Sequence, residues 1–253
     1  MKVYLGFDDT DTRDSLYGTG KLVRWFQSAL PEGFECLGVV RQQLFVCDAI
    51  PYTSHNSAAC LIAETPAPDL LNDVIERAAN HLARYAMNGS DPGLCVATEL
   101  DASLESLIAF GHSCTRAVAT QRQALEAAKQ FHLSGHGGTD AGIIGAAAAV
   151  GLTVSGWSGR FIEFGDLRNL PDKVLVSELN RMGIEVVSME RDAKLPAPND
   201  TVITNGWLRP RLLGHRPVLF ASPQGKGQWK NIYLKRKKRH DHLEKHEQVK
   251  AAH

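Results

Sequence analysis

Lys2-Val3-Tyr4-Leu5-Gly6-Phe7, followed at once by Asp8-Asp9-Thr10-Asp11-Thr12, is the stretch on which the reading of this chain turns. The first six residues read as a buried strand, and the carboxylates crowd its carboxyl end. In open α/β sheets that edge is where ligands bind. Asp8, Asp9 and Asp11 repel one another unless a cation or hydrogen-bond donors compensate. Hard oxygen donors of this kind suit Mg²⁺, which joins one or two carboxylates to substrate phosphates. Thr10 and Thr12 add hydroxyl groups. The competing reading is an Asx turn whose aspartates cap a helix and do nothing else.

Next along the chain, Gly18-Thr19-Gly20-Lys21 opens the first expected helix. Glycines let backbone N–H groups approach an anion, and a helix amino terminus attracts negative charge. Lys21 would add a point charge to a phosphate. This is not a Walker A loop, because Ser15 stands where glycine is required and Leu22 where Ser or Thr is required. An ordinary glycine turn is the alternative. A third patch, Pro51-Tyr52-Thr53-Ser54-His55-Asn56-Ser57, sets polar side chains between two apolar runs. His55 and Asn56 are its candidates for nucleotide contact, against a loop that merely satisfies its own backbone. A fourth, Gly135-His136-Gly137-Gly138-Thr139-Asp140-Ala141-Gly142, precedes an alanine-rich helix. Gly138 and Gly142 permit close backbone approach there, and Asp140 is a carboxylate able to meet a cationic ligand. Tight packing of a small-residue helix explains the same glycines.

Around these patches the periodicities predict a helix over 20–30, strands over 36–42, 43–48 and 57–64, a helix over 68–87 and a strand over 94–98. Residues 102–131 and 141–150 read as helical, 160–164 as a strand, 173–182 as a helix, and 184–189 and 201–204 as strands. The expected class is α/β (α+β): an α/β domain over 1–105, a ferredoxin-like α/β sandwich over 106–225 and a basic tail over 226–253.

Composition supports a globular protein: 253 residues, 43% hydrophobic, 22% charged, with a formal net charge of zero. No apolar run reaches the roughly eighteen residues that span a bilayer, and no secretory signal is expected. The five cysteines are dispersed, with no Cys-x-x-Cys pair. Free thiols in a reducing, cytoplasmic setting are expected, and a zinc ribbon is not. Neutrality hides an asymmetry. From Lys226 onward nine Lys/Arg face three Asp/Glu, a net +6, with Lys235-Arg236-Lys237-Lys238-Arg239 the densest run. Such a tail suits nucleic-acid phosphates or stands as a solvated terminus.

The four patches, in this order, resemble the tRNA-Ile agmatinylcytidine synthetase (TiaS) family. Its Ile-Asp-Asp-Thr-Asp-Ser turn is similar to Phe7-Asp8-Asp9-Thr10-Asp11-Thr12, and its Asn-Ala-Ala segment to Asn56-Ser57-Ala58-Ala59. Pro92-Gly93-Leu94, Gly142-Ile143-Ile144-Gly145-Ala146 and Pro217-Val218-Leu219 match further segments. The resemblance covers residues 1–222, and only the Asp turn and the Gly142 segment are specific. It implies a kinase-like domain followed by a ferredoxin-like one, without the family's OB-fold and zinc ribbon. In that family ATP activates a cytidine carbonyl and agmatine displaces the phosphate, with Mg²⁺ at the Asp cluster. Lys21-Leu22 occupy the place of the family's Thr-Thr pair. The expectation is therefore a Mg²⁺- and ATP-dependent phosphotransferase or synthetase, with a nucleotide, and RNA or tRNA through the tail, as partners. The alternative is a non-catalytic nucleotide- or RNA-binding module.

Overall fold

The computed structural model describes residues 1–53, 55–190 and 195–232, so Ser54 and the basic run Lys235-Arg236-Lys237-Lys238-Arg239 lie outside the described residues. The amino-terminal half comprises β1 (Lys2–Asp8), α1 (Thr19–Phe26), β2 (Glu35–Gln43), β3 (Ser57–Glu64), α2 (Leu71–Tyr85), β4 (Gly93–Thr98), α3 (Leu104–Cys114), α4 (Gln121–Ala127), β5 (His132–Gly135) and α5 (Gly142–Val154). The remainder comprises β6 (Arg160–Glu163), β7 (Lys173–Leu175), α6 (Val176–Arg181), β8 (Glu185–Ser188), β9 (Thr201–Ile203), β10 (Arg211–Leu213), β11 (Arg216–Gly225) and β12 (Gln228–Asn231). The twelve strands among the described residues join one mixed sheet in the order β5-β4-β1-β3-β2-β6-β10-β11-β12-β9-β7, with β8 pairing β11 in parallel.

β1 lies between β3 and β4 and is antiparallel to both. Its alternating side chains divide between two cores. Val3, Leu5 and Phe7 pack with Leu22, Phe26, Val74 and Leu82 under α1 and α2. Tyr4 faces the opposite layer, with Leu107, Phe110 and α5. Burying one large apolar side chain contributes about 1.5–3 kcal/mol, so this two-sided strand anchors the half. Helix α5 is the thin slab of that second layer, and twelve of its thirteen residues are buried. Its Gly/Ala composition follows from how closely it approaches the sheet. A Cβ on Gly6 would stand 2.2 Å from the Ala146 carbonyl oxygen.

Four expectations need correction. The predicted strand over 43–48 does not form: β2 ends at Gln43, and the next N–H groups go elsewhere, Leu44 to the Asn56 carbonyl and Phe45 to that of Cys114. The helix expected over 173–182 begins as strand β7, paired with β9, and turns helical at Val176. Residues 132–135 form the unexpected β5, which pairs β4. The first residues of the basic segment are also sheet: β12 pairs β11 and β9, and Trp229 is buried, its indole N–H donating to Asp200 at 2.8 Å.

The boundary expected near residue 105 coincides with the start of α3. α5 nevertheless packs on β1, β3 and β4, β5 pairs β4, and α3 and α4 pack on α5, so the elements as far as Val154 complete the amino-terminal layer. A third core, around Val174, Leu179, Ile184, Val202, Leu212 and Trp229, fills the other half. No described helix is long and apolar enough to cross a membrane.

Candidate functional site

The antiparallel pairing gathers the ends of β1, β2 and β5 and the beginnings of β3, β4 and β6 along one sheet edge. The acidic turn leaves β1 at that edge. Asp9 takes φ +53, the left-handed region that aspartate tolerates better than most side chains. This reversal directs the chain away from β1 and brings Thr10 inward, where it is fully buried. The Thr10 hydroxyl meets Thr19 Oγ1 at 3.1 Å, and its carbonyl accepts the Met87 N–H at 3.0 Å. The turn is thereby stitched to the start of α1 and to the loop after α2.

Asp8, Asp9, Asp11, Thr19, His55 and Asn56, all expected at the site, line one cavity of about 320 Å³. Asp11 has a specific task within it. Its Oδ1 accepts the Thr19 N–H at 3.1 Å and lies 3.3 Å from the Thr19 hydroxyl, while Oδ2 accepts the Thr53 hydroxyl at 2.9 Å. Asp11 therefore caps α1 and ties down the 48–56 loop. That changes the reading of Gly18-Thr19-Gly20: the first N–H of the helix already serves a protein carboxylate. A Cβ on Gly18 would meet that carboxylate at 3.4 Å, an ordinary van der Waals contact. Gly20 faces Ile162.

Lys21 is not brought into the cavity. α1 buries Thr19, Leu22, Val23 and Phe26, and this phase turns Lys21 outward with Trp25. Its ammonium sits 5.2 Å from the Trp25 ring centroid and 5.9 Å from that of Tyr17, a cation–π arrangement.

One carboxylate of the cavity escaped the sequence reading. Asp91 precedes β4, and the pairing of Asp8 with Gly93 sets it beside the acidic turn. The Gly-rich segment holds it there. Thr139 donates its N–H to Asp91 Oδ1 at 3.0 Å and its hydroxyl to Oδ2 at 2.6 Å. Gly138, at φ +59, leaves room for Asp91, and Gly142 donates its N–H to the Asp91 carbonyl at 3.0 Å. Asp140 lines neither this cavity nor its neighbour; its carboxylate lies against Gly135, beside His136. The Gly-rich segment thus bonds Asp91 through both its carboxylate and its carbonyl.

The crowding has electrostatic consequences. Burial, followed by the neighbouring Asp9 charge, pushes the Asp8 carboxyl up to about 8, although the Asp9 N–H partly opposes this. Burial, then the charges of Asp91 and Asp11, pushes Asp9 up to about 6. Asp8 lies against Gly145 in the first turn of α5, between the main cavity and an adjoining one of about 210 Å³. Ile50, Val118 and Ile144 wall that second cavity. On the opposite side, His55 is shifted below the ordinary imidazole value by desolvation and by the Arg41 and Arg209 charges. Asn56 closes the loop by donating to the Phe45 carbonyl at 2.6 Å.

Among the described residues no three His, Cys, Asp or Glu side chains converge as a metal-holding group. The donor chemistry fits a cation that takes one or two carboxylates and completes its shell from water and substrate. Mg²⁺ has that habit; Zn²⁺ in a structural site does not.

No protein-family model and no curated protein matches the sequence. Solved structures do match the fold. The structure of a tRNA fluorescent labeling enzyme superposes with a TM-score of 0.51 at 23% identity, over 60% of this chain and 36% of that one. A complex of TiaS with an isoleucine tRNA and ATP gives 0.51 at 22% identity, over 60% and 36% of the two chains. Apo TiaS, the agmatidine synthetase of that isoleucine tRNA, gives 0.50 at 22%, over 60% and 35%. Over 60% of its residues the chain is TiaS-like in fold, and it spans little more than a third of the length of those proteins.

Proposed function

We propose that this chain is an ATP-using phosphotransferase or synthetase with its nucleotide in the cavity at the end of β1. The observation that carries the reading is that Asp8, Asp9 and Asp91 line one cavity together with Thr19, His55 and Asn56. The fold likeness adds support, since TiaS is known in complex with an isoleucine tRNA and ATP, and with that tRNA, AMPCPP and agmatine.

Asp9 and Asp91 would hold Mg²⁺, with Asp8 on the lining of the same cavity. A bound Mg²⁺ supplies charge neutralisation for triphosphate oxygens. The protein's own groups do the rest. Asp11 fixes the start of α1 and, through its second oxygen, holds Thr53 at the cavity wall. Desolvation and the Arg41 and Arg209 charges favour the neutral form of His55, which lines the cavity for contact with the nucleotide. The adjoining cavity, with apolar walls and the Asp8 and Asp9 carboxyls on its lining, suits an acceptor that pairs an aliphatic body with a cationic head.

Isothermal titration of wild type and Asp9→Asn with ATP, with and without Mg²⁺, tests this. Mg²⁺-dependent ATP binding by wild type, weakened at least tenfold in Asp9→Asn, is expected. Absence of nucleotide binding by wild type refutes the reading. Binding without turnover of ATP, in the presence of RNA and agmatine, assigns the chain instead as a non-catalytic nucleotide-binding module.

A further inference from the structure

Helices α1 and α2 bury Leu22, Phe26, Val74 and Leu82 against the sheet, and an open cleft of about 540 Å³ lies between them. Its volume is in the range of small-molecule sites, roughly 300–1,000 Å³. None of the acidic-turn residues lines it. Two rows of side chains border it instead. Trp25 and Ser28 come from the α1 side, and Arg77, Asn80 and Arg84 from α2. The spacing of three and then four residues sets the α2 row on one helical face, and all three of its side chains are exposed.

An aromatic cluster joins the two helices at the cleft. The Trp25 and Tyr85 ring centroids are 6.0 Å apart, and those of Tyr85 and His81 are 4.7 Å apart. Tyr17 meets Trp25 edge-on at 4.7 Å, and its hydroxyl donates to the Tyr85 carbonyl at 2.9 Å. The rings are thereby held in place across the two helices. Trp25 nevertheless keeps 37% of its surface exposed, so an indole that is fixed by its neighbours is still open to a ligand.

Charge in the cleft has one sign, since no carboxylate lines it. Arg84 lies 5.3 Å from the Tyr85 ring centroid and forms no ion pair among the described residues. Arg77 gives its Nε to Asp73, one turn back on α2, at 3.1 Å. Lys21 stands at the rim, over Trp25. Burial and the Arg84 charge both lower the His81 pKa, against its hydrogen bond to the Leu22 carbonyl. Guanidinium groups bind a phosphate or carboxylate through charge-assisted hydrogen bonds, and fixed aromatic rings offer a flat ring a stacking surface.

We infer that the cleft between α1 and α2 binds a small aromatic anion, a flat ring bearing a phosphate or carboxylate. The ring rests against Trp25 and Tyr85, and the anionic group takes hydrogen bonds from Arg84, Arg77 and the Asn80 amide. The site is separate from the proposed nucleotide cavity and does not depend on it. Without metal that cavity, lined by Asp8, Asp9 and Asp91, repels the same ligand, so the two sites sort ligands by charge.

Calorimetric titration of the full chain in metal-free buffer tests this, with 1-naphthyl phosphate and 1-naphthoate as probes. Inorganic phosphate and 1-naphthol serve as the separate halves. Wild type is expected to bind at least one aromatic anion with a Kd of about 1 mM or tighter, at least about tenfold tighter than either half. The preferred probe tells phosphate from carboxylate. Arg84→Gln is expected to weaken that probe about tenfold, the loss of one charged contact. Trp25→Leu is expected to weaken it about fivefold. Failure of both probes to bind wild type overturns the inference. So does unchanged binding in two variants that melt as wild type does. Inorganic phosphate binding as tightly as the aromatic probe also overturns it, as an adventitious ion only. Displacement of the probe by Mg²⁺–ATP places it in the nucleotide cavity and overturns it as well. Failure of wild type to bind ATP counts against the proposed function alone and leaves the probe titrations readable.

Discussion

Replacing Asp8 by asparagine should remove a pH dependence of stability that the wild-type chain carries. The Asp8 carboxyl is raised from 3.8 to about 8 in the folded protein, chiefly by burial. In the unfolded chain it titrates near the ordinary value. Between those two values the folded state holds a proton that the unfolded state has lost, so stability falls as pH rises. The contribution is fully present below about pH 4 and has been lost above about pH 8. One group taking up one proton sets a slope of about 1.36 kcal/mol per pH unit, hence at most about 2.7 kcal/mol between pH 5 and pH 7. Residual solvent contact and coupling to Asp9 reduce this, so we expect about 1–2 kcal/mol. The asparagine amide does not titrate, and its oxygen keeps an acceptor for the Asp9 N–H. Urea unfolding of both proteins in metal-free buffer at several pH values is the assay. The variant should gain on wild type by that amount from pH 5 to pH 7. A difference between the two proteins that stays constant with pH would refute the burial argument for Asp8.

Three further outcomes follow from the packing. Gly142→Ala places a Cβ 2.2 Å from the Asp91 carbonyl oxygen and 2.6 Å from the Gly93 nitrogen. Backbone atoms give way little, so a loss of about 3 kcal/mol or more in denaturant unfolding is expected, with disturbed ATP binding. Asp11→Ala removes the α1 cap and the Thr53 tether; it should cost about 1 kcal/mol in thermal unfolding, and proteolysis should cut the 48–56 loop faster. Lys21→Gln should change ATP affinity less than twofold by calorimetry, because its ammonium rests on Tyr17 and Trp25; a tenfold loss would return Lys21 to the phosphate site.

What the sequence determined by itself was the local chemistry. β1 and the acidic turn were legible because a strand that is buried on both faces and ends in three carboxylates is a pattern of adjacent residues. The small-residue helix α5 was legible for the same reason, through composition. Even the outward phase of Lys21 was implicit in the spacing of Leu22, Val23 and Phe26. Tertiary structure alone decided which side chains meet. Asp91 joins Asp8 and Asp9 through the pairing of β4 with β1, two strands separated in the chain by β2, β3 and two helices. Asp11 became a capping residue because Thr19 and Thr53 converge on it from two other segments. Sequence periodicity reports which face of an element is buried. It carries no information on which distant element covers that face, and at this sheet edge the covering elements supply half of the site.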